Sequence, residues 1–85
     1  MNIVITGANR GIGLELTKQY SSHGHHVFAL CRSTSSDLDG CKNTSVITGV
    51  DVTDNNTIIQ ASKKCPNQID LLINNAGILK RVALD

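Results

Sequence analysis

Residues 2–13 read NIVITGANRGIG, a β-rich run followed by a segment that contains three glycines. The run Asn2–Thr6 predicts a buried strand that stops at Gly7. The period then changes, because apolar residues recur at helical spacing over 11–23, and Gly24 stands where a left-handed cap would end a helix. The predicted apolar stripe of this helix is Ile12, Leu14, Leu16 and Tyr20. The glycines therefore join a first strand to a first helix.

The remaining chain repeats this alternation of strand and helix. The predicted elements are a strand at 26–31, a loop or single weak turn at 33–43, a strand at 44–52, a helix from Thr53 as N-cap to Lys64, and a strand at 69–74. The stripe predicted for the second helix is Ile58, Ile59 and Ala61. The order β-α-β-loop-β-α-β is typical of an α/β fold with a parallel, Rossmann-like sheet and right-handed crossovers. Its strands would form the first half of a doubly wound domain.

Each glycine of the loop has a predicted task. Gly7 allows the sharp turn out of the strand, Gly11 lets the backbone approach a diphosphate, and Gly13 lets the helix pack closely on the sheet. A diphosphate here would lie at the helix N-terminus, where unpaired N–H groups favour an anion. The spacing is G-x-x-x-G-x-G, and the alternative is a turn that needs only flexibility.

Composition excludes several classes of protein. A net charge of +1 gives no electrostatic basis for binding nucleic acid or an anionic membrane surface. The N-terminus lacks the basic and apolar regions of a signal peptide, and no apolar run approaches the ~20 residues that cross a bilayer. Three cysteines without a C-x-x-C pair favour reduced thiols over disulfides or zinc. We therefore expect a cytoplasmic protein with neither a nucleic-acid partner nor a membrane partner.

Three motifs stand at the ends of predicted strands. TGANRGIG follows the first strand, Asp51-Val52 follows the third, and NNAG at 74–77 follows the fourth. In this order and spacing they resemble the short-chain dehydrogenase/reductase family, over nearly the whole chain. The run ITGANRGIGLEL is most similar to the carbonyl-reductase-like branch, which includes the C-factor cell-signalling proteins. The resemblance implies that residues 1–85 are the N-terminal part of a single NAD(P)-binding Rossmann domain, which is incomplete in this chain.

The resemblance also implies roles for individual residues. Asp51 would accept a hydrogen bond from the adenine amino group, with the N–H of Val52 beside it. Asn74, Ala76 and Gly77 would line the adenosine ribose and the centre of the cofactor groove. The predicted cofactor-binding residues are Gly7, Asn9, Arg10, Gly11, Ile12, Gly13, Arg32, Ser33, Asp51, Val52, Asn74, Ala76 and Gly77. Alternatively, Asp51 is a capping or loop carboxylate, and the two asparagines tie strands together by hydrogen bonds, a role compatible with ligand binding.

The end of the second strand indicates NADP(H) rather than NAD(H). An NAD site places an acid here for the ribose 2′-hydroxyl, whereas an NADP site places an Arg nearby for the 2′-phosphate. This chain has Cys31 at the acid's position and Arg32 directly after it. Arg10 is a second base within reach of the same phosphate, and the family pattern assigns both positions to NADP binding. The alternatives are a solvated Arg10 and an Arg32 paired with Asp37 or Asp39.

Other residues that suggest chemistry have simpler interpretations. The histidines at 23, 25 and 26 straddle a helix end and a strand start, so their side chains need not converge, and we predict no metal site. The three cysteines lack a nearby basic motif and are interpreted as small packing residues. Tyr20, the only tyrosine, is predicted to belong to the core.

The resemblance implies a reaction centre that this chain lacks. The family uses a Tyr acid/base with a Lys four residues later, assisted by Ser and Asn, whereas Tyr20 is followed by Ser-Ser-His-Gly. We therefore predict the NADP(H)-binding portion of an oxidoreductase for a small-molecule carbonyl or alcohol, without catalytic residues and inactive by itself. The alternative is a non-catalytic nucleotide-binding or C-factor-like signalling protein. Because each face of the sheet has about one helix, we also expect a larger parent chain, a partner chain or an oligomer to cover the bare strands. For the parent protein we expect a homo-oligomer.

Overall fold

A computed structural model describes residues 1–75, which form an α/β fold with one sheet. Its elements are β1 (Asn2–Thr6), α1 (Gly11–Ser22), β2 (His26–Leu30), α2 (Ser36–Asp39), β3 (Thr44–Ile47), α3 (Asn55–Ser62) and β4 (Leu71–Asn74). The strand order is β3-β2-β1-β4, and every pairing is parallel. The predicted Rossmann-like parallel sheet with flanking helices is confirmed.

The register of the sheet brings the carboxyl ends of all these strands to one edge. Thr6 of β1 pairs with Leu30 of β2 and with Asn74 of β4, and Leu30 also pairs with Ile47 of β3. The chain places β2 and β3 on one side of β1 and β4 on the other, so the order reverses at β1. Ligands of open α/β sheets bind at such a reversal, beyond the carboxyl ends of the strands.

Alternate residues of the strands build a core on each face of the sheet, as the period of a strand requires. One core contains Ile3, Ile5, Ala8, Val27, Ala29, Cys31 and Leu38. The other contains Val4, Leu30, Ile47, Val50 and Ala61. The helices α1 and α2 lie on the first face, and α3 lies on the second, where Ala61 is its buried residue.

The predicted apolar stripes of both longer helices are partly wrong. In α1 the buried residues are Gly13, Thr17 and Ser21, because small side chains let the helix approach the sheet closely, and Ile12 is 60% exposed. Leu14, Leu16 and Tyr20 pack half-buried against the core. In α3 only Ala61 is buried, whereas Ile58 and Ile59 are 40% and 52% exposed.

Several predicted boundaries also move. The strand expected at 44–52 ends at Ile47, because Gly49 turns the chain at φ 74°, although the N–H of Val50 still donates to the carbonyl of Cys31 (3.0 Å). The N-cap of α3 is Asp54 rather than Thr53, since the Asp54 carboxylate accepts from the N–H of Asn56 (3.0 Å). That helix ends at residue 62 rather than 64, the second strand ends at residue 30 rather than 31, and β4 begins at residue 71 rather than 69.

The weak turn predicted within 33–43 is a helix of one turn, α2. Ser35 caps it, because its hydroxyl accepts from the N–H of Leu38 (3.2 Å). Leu38 is fully buried and packs in the same core as Ile3 and Val27. The connection between β2 and β3 therefore contributes a core residue that the sequence pattern did not reveal.

Candidate functional site

An open cavity of about 570 Å³ lies beyond the carboxyl ends of β1 and β2. Its lining residues are Thr6, Gly7, Asn9, Arg10, Gly11, Leu30, Cys31, Arg32, Ser33, Val50, Val52 and Asn75. This set includes seven of the thirteen predicted cofactor-binding residues and adds Thr6, Leu30, Cys31, Val50 and Asn75. The predicted residues Ile12, Gly13, Asp51 and Asn74 are outside the lining, and Ala76 and Gly77 lie outside the described part of the chain.

The glycine loop has the backbone conformation that its residues allow. Gly7 and Gly11 have φ values of 63° and 58°, in the left-handed region where a side chain is strained. A Cβ atom on Gly11 would meet no atom within 4 Å, so this backbone faces open space. The N-cap of α1, Arg10, makes no side-chain capping bond, and the first turn contains no acidic residue. The helix N-terminus can therefore offer its N–H groups to an anion.

Hydrogen bonds tie the glycine loop to the segment that follows β2. The amide Nδ2 of Asn9 donates to the carbonyl of Ser33 (3.0 Å), and the hydroxyl of Ser35 donates to the carbonyl of Asn9 (2.9 Å). These bonds hold the two segments that carry Arg10 and Arg32 against one another. Sequence reasoning missed Ser35, which no motif distinguishes from its serine and threonine neighbours.

Asn74, the last residue of β4, and Asn75 directly after it bond to β1 and to the loop that follows β1, as the predicted alternative of asparagines that tie strands together requires. The hydroxyl of Thr6 donates to Oδ1 of Asn74 (3.0 Å). Asn75 is buried, and its Nδ2 donates to the carbonyl of Gly7 (3.4 Å). Asn75 thus supports the glycine loop and lines the cavity. Of the two asparagines, only Asn74 was predicted as a site residue. The place of Asn75 in the NNAG motif was the available signal.

Arg32 reaches across the end of the sheet to Asp51. Its Nη2 lies 3.3 Å from Oδ1 of Asp51, and its side chain is 74% exposed. The predicted alternative of a pair with Asp37 or Asp39 is therefore wrong, and Asp39 instead accepts from the hydroxyl of Thr34 (2.6 Å). The pair joins the segments that follow β2 and β3, because Arg32 lies two residues after the end of β2 and Asp51 lies four residues after the end of β3.

Asp51 is fixed by its own turn. The hydroxyl and the N–H of Thr53 both donate to its Oδ1, at 2.6 and 2.9 Å. The hydroxyl of Thr57 accepts from the backbone N–H of Asp51 (2.9 Å). The Thr53 hydroxyl above all, then the Thr53 N–H, and finally Arg32 hold the pKa of the Asp51 carboxyl below its ordinary value. Asp51 is therefore a fixed anion at neutral pH.

Cys31 directly follows β2, where the sequence prediction expects the acid of an NAD site. The side chain is buried, lines the cavity, and points its Sγ toward the carbonyl of Ile47 (4.0 Å). Burial, and to a smaller degree the negative charge of Asp39, raise the pKa of the Cys31 thiol. A neutral thiol therefore replaces a carboxylate at this end of β2.

The three histidines contact three different partners. Nδ1 of His23 lies 2.7 Å from the carbonyl of Gln19, Nδ1 of His25 lies 3.2 Å from the N-terminal amine, and Nε2 of His26 lies 2.9 Å from the hydroxyl of Ser45. Over residues 1–75, no three His, Cys, Asp or Glu side chains come together as metal ligands would. Within the same range, none of the helices has the length and apolar character needed to span a bilayer.

Sequence comparison with known proteins identifies the family of this chain. The sequence profile described as short chain dehydrogenase matches residues 1–85. Gluconate 5-dehydrogenase of Gluconobacter oxydans (strain 621H) is 36% identical over 93 residues, which cover 96% of this chain and 36% of that protein. Salutaridine reductase of Papaver bracteatum is 37% identical over 86 residues, which cover 88% of this chain and 28% of that protein.

Solved structures agree with the sequence comparison. Serine dehydrogenase from Escherichia coli matches with a TM-score of 0.76 and 29% identity, over 88% of this chain and 37% of that one. The chain thus spans about a third of the length of the proteins it matches. The narrower assignment to the carbonyl-reductase-like and C-factor branch stays a prediction. The glycine loop, the parallel sheet and these relatives together lead to one conclusion, that the chain belongs to the short chain dehydrogenase family.

Proposed function

We propose that this chain supplies the NADP(H)-binding part of an oxidoreductase that interconverts a small-molecule carbonyl and its alcohol. The proposal rests on one observation. Directly after β2, a buried and neutral Cys31 is followed by an exposed Arg32. Arg32 can donate to a 2′-phosphate, and no carboxylate at position 31 repels that phosphate.

The cavity suits the other parts of such a cofactor. The diphosphate would lie on the glycine loop at the uncapped N-terminus of α1, where the open side of Gly11 leaves room for it. Arg10 lines the same cavity as Arg32 and adds a second positive charge near the 2′-phosphate. Asp51 and Val52 would meet the adenine. When bound, the cofactor supplies a hydride donor or acceptor at its nicotinamide ring.

In this proposal the chain binds and orients the cofactor, and its sequence holds no tyrosine with a lysine four residues later. Its single tyrosine, Tyr20, packs half-buried against the core on α1 and lies outside the cavity lining. We therefore expect residues 1–85 alone to show no turnover of a carbonyl substrate with NADPH. The alternative of a non-catalytic or signalling module is not favoured, since the relatives described above are named as dehydrogenases or a reductase.

Calorimetric titration with NADPH and NADH tests cofactor preference, using the protein at the full length its reading frame encodes. We expect tighter binding of NADPH. Arg32→Ala should weaken NADPH binding by about 1.5–3 kcal/mol and leave NADH binding nearly unchanged, because a charge-assisted hydrogen bond to the 2′-phosphate is lost.

Lys18→Ala is the matched control. It removes the same charge from an exposed position on α1 that does not line the cavity, and it should change neither affinity. Equal affinities of the unaltered protein for the two cofactors would refute the proposed NADP preference.

A further inference from the structure

The ion pair between Arg32 and Asp51 stands at the rim where a 2′-phosphate would be recognised. Arg32 lines the cavity, and its guanidinium uses Nη2 to reach Oδ1 of Asp51 at 3.3 Å. The acceptor is held in place, because the hydroxyl and N–H of Thr53 donate to the same Oδ1 at 2.6 and 2.9 Å. Asp51 therefore presents a fixed negative charge to a long and exposed arginine.

In this arrangement the Asp51 carboxylate and a 2′-phosphate would compete for the same Arg32 guanidinium. An arginine that turns toward a 2′-phosphate must loosen or share its contact with Asp51. The phosphate would also bring its charge close to the carboxylate, which is a repulsive contact between like charges. Both effects weaken the binding of NADPH, which carries the 2′-phosphate, and leave the binding of NADH unaffected.

We propose that Asp51 is a specificity-determining residue that restrains the preference for NADPH, because it competes with the 2′-phosphate for Arg32. The inference rests on the proposed function, since it assumes that Arg32 recognises the phosphate. The restraint is modest, because the Arg32 side chain is 74% exposed and an exposed ion pair is weak.

Asp51→Asn tests the inference on the protein at its encoded length, by calorimetry with NADPH and NADH. Asparagine keeps an oxygen that can accept from Thr53 and from the adenine amino group, but it removes the charge. The NADPH preference, defined as the ratio of the NADH Kd to the NADPH Kd, should rise about two- to five-fold. A general loss of folded protein would affect both cofactors alike and cancel in this ratio.

Asp54→Asn is the matched control. Asp54 lies in the same turn, but its carboxylate caps α3 by accepting from the N–H of Asn56 (3.0 Å), a role that asparagine also fills. This variant should leave the preference unchanged. An equal rise in both variants would overturn the inference, because a general loss of negative charge would then explain the effect.

A second background isolates the competition for Arg32. In Arg32→Ala, the further change Asp51→Asn should alter the preference by less than it does beside the native arginine. An unchanged or lower preference in Asp51→Asn alone would overturn the inference, and a fall would show that Asp51 instead holds Arg32 ready for the phosphate. A native protein without NADPH preference would refute the proposed function itself, so the two failures are distinguishable.

Discussion

The helix α1 packs closely against the glycine loop because Gly13 has no side chain. A Cβ atom on Gly13 would lie 2.2 Å from the carbonyl oxygen of Gly7 and 2.9 Å from Nδ2 of Asn75. The first of these atoms belongs to the backbone, and the second belongs to a buried side chain that already donates to Gly7. Neither neighbour can move aside without shifting the glycine loop that lines the cavity.

We therefore expect Gly13→Ala to lower the free energy of unfolding by about 1–3 kcal/mol or more, as overpacking of a tight contact does. Urea titration of the protein at its encoded length, followed by circular dichroism, measures the change. Gly40→Ala is the matched control, because Gly40 has a right-handed φ of −81° and its Cβ would make only ordinary contacts at 3.6 Å. That variant should keep or slightly raise stability. Equal stability of both variants and the native protein would contradict the close contact at Gly13.

Among the elements, the short helix α2 contributes a large side chain to the core although it has only one turn. Leu38 is fully buried, and α2 contains only four residues. Leu38→Ala should lower the free energy of unfolding by about 2–5 kcal/mol, because a buried leucine leaves a cavity when truncated. Ile59→Ala is the control; that side chain is 52% exposed on α3, and its loss should cost about 0.5 kcal/mol or less. Similar costs of the two substitutions in urea titration of the protein at its encoded length would contradict this packing.

Elements with strong local patterns could be predicted, and those set by tertiary contacts could not. The bounds of β1 match the prediction because an aliphatic run ends at a glycine that turns the chain. Leu38 was missed because one apolar residue in a polar segment has no periodicity. Ile12 was misplaced because α1 packs through its small residues rather than its large ones. The motifs placed most of the cavity lining, but the partner of Arg32 depends on how β2 and β3 align.

At the scale of the whole molecule, the two faces of the sheet are covered unequally by residues 1–75. The face that holds Ile3 and Ile5 lies beneath α1 and α2. The opposite face holds Val4, and in the register of β1 with β4 its neighbour Leu72 belongs to that face too. Leu72 is 62% exposed, and α3 buries only Ala61 there. In this part of the chain, β4 is also an edge strand of the sheet.

Exposed aliphatic side chains beside an edge strand favour pairing with another chain. We therefore expect the isolated 85-residue chain to self-associate in sedimentation velocity runs, or to melt without a cooperative transition. Leu72→Lys should shift the sedimentation distribution toward smaller species, because a charge on an edge strand opposes strand pairing. Lys42→Ala, in the connection between α2 and β3, is the control and should leave the distribution unchanged. A native chain that sediments as a monomer and melts cooperatively would contradict the prediction, since the exposed face would then need no partner.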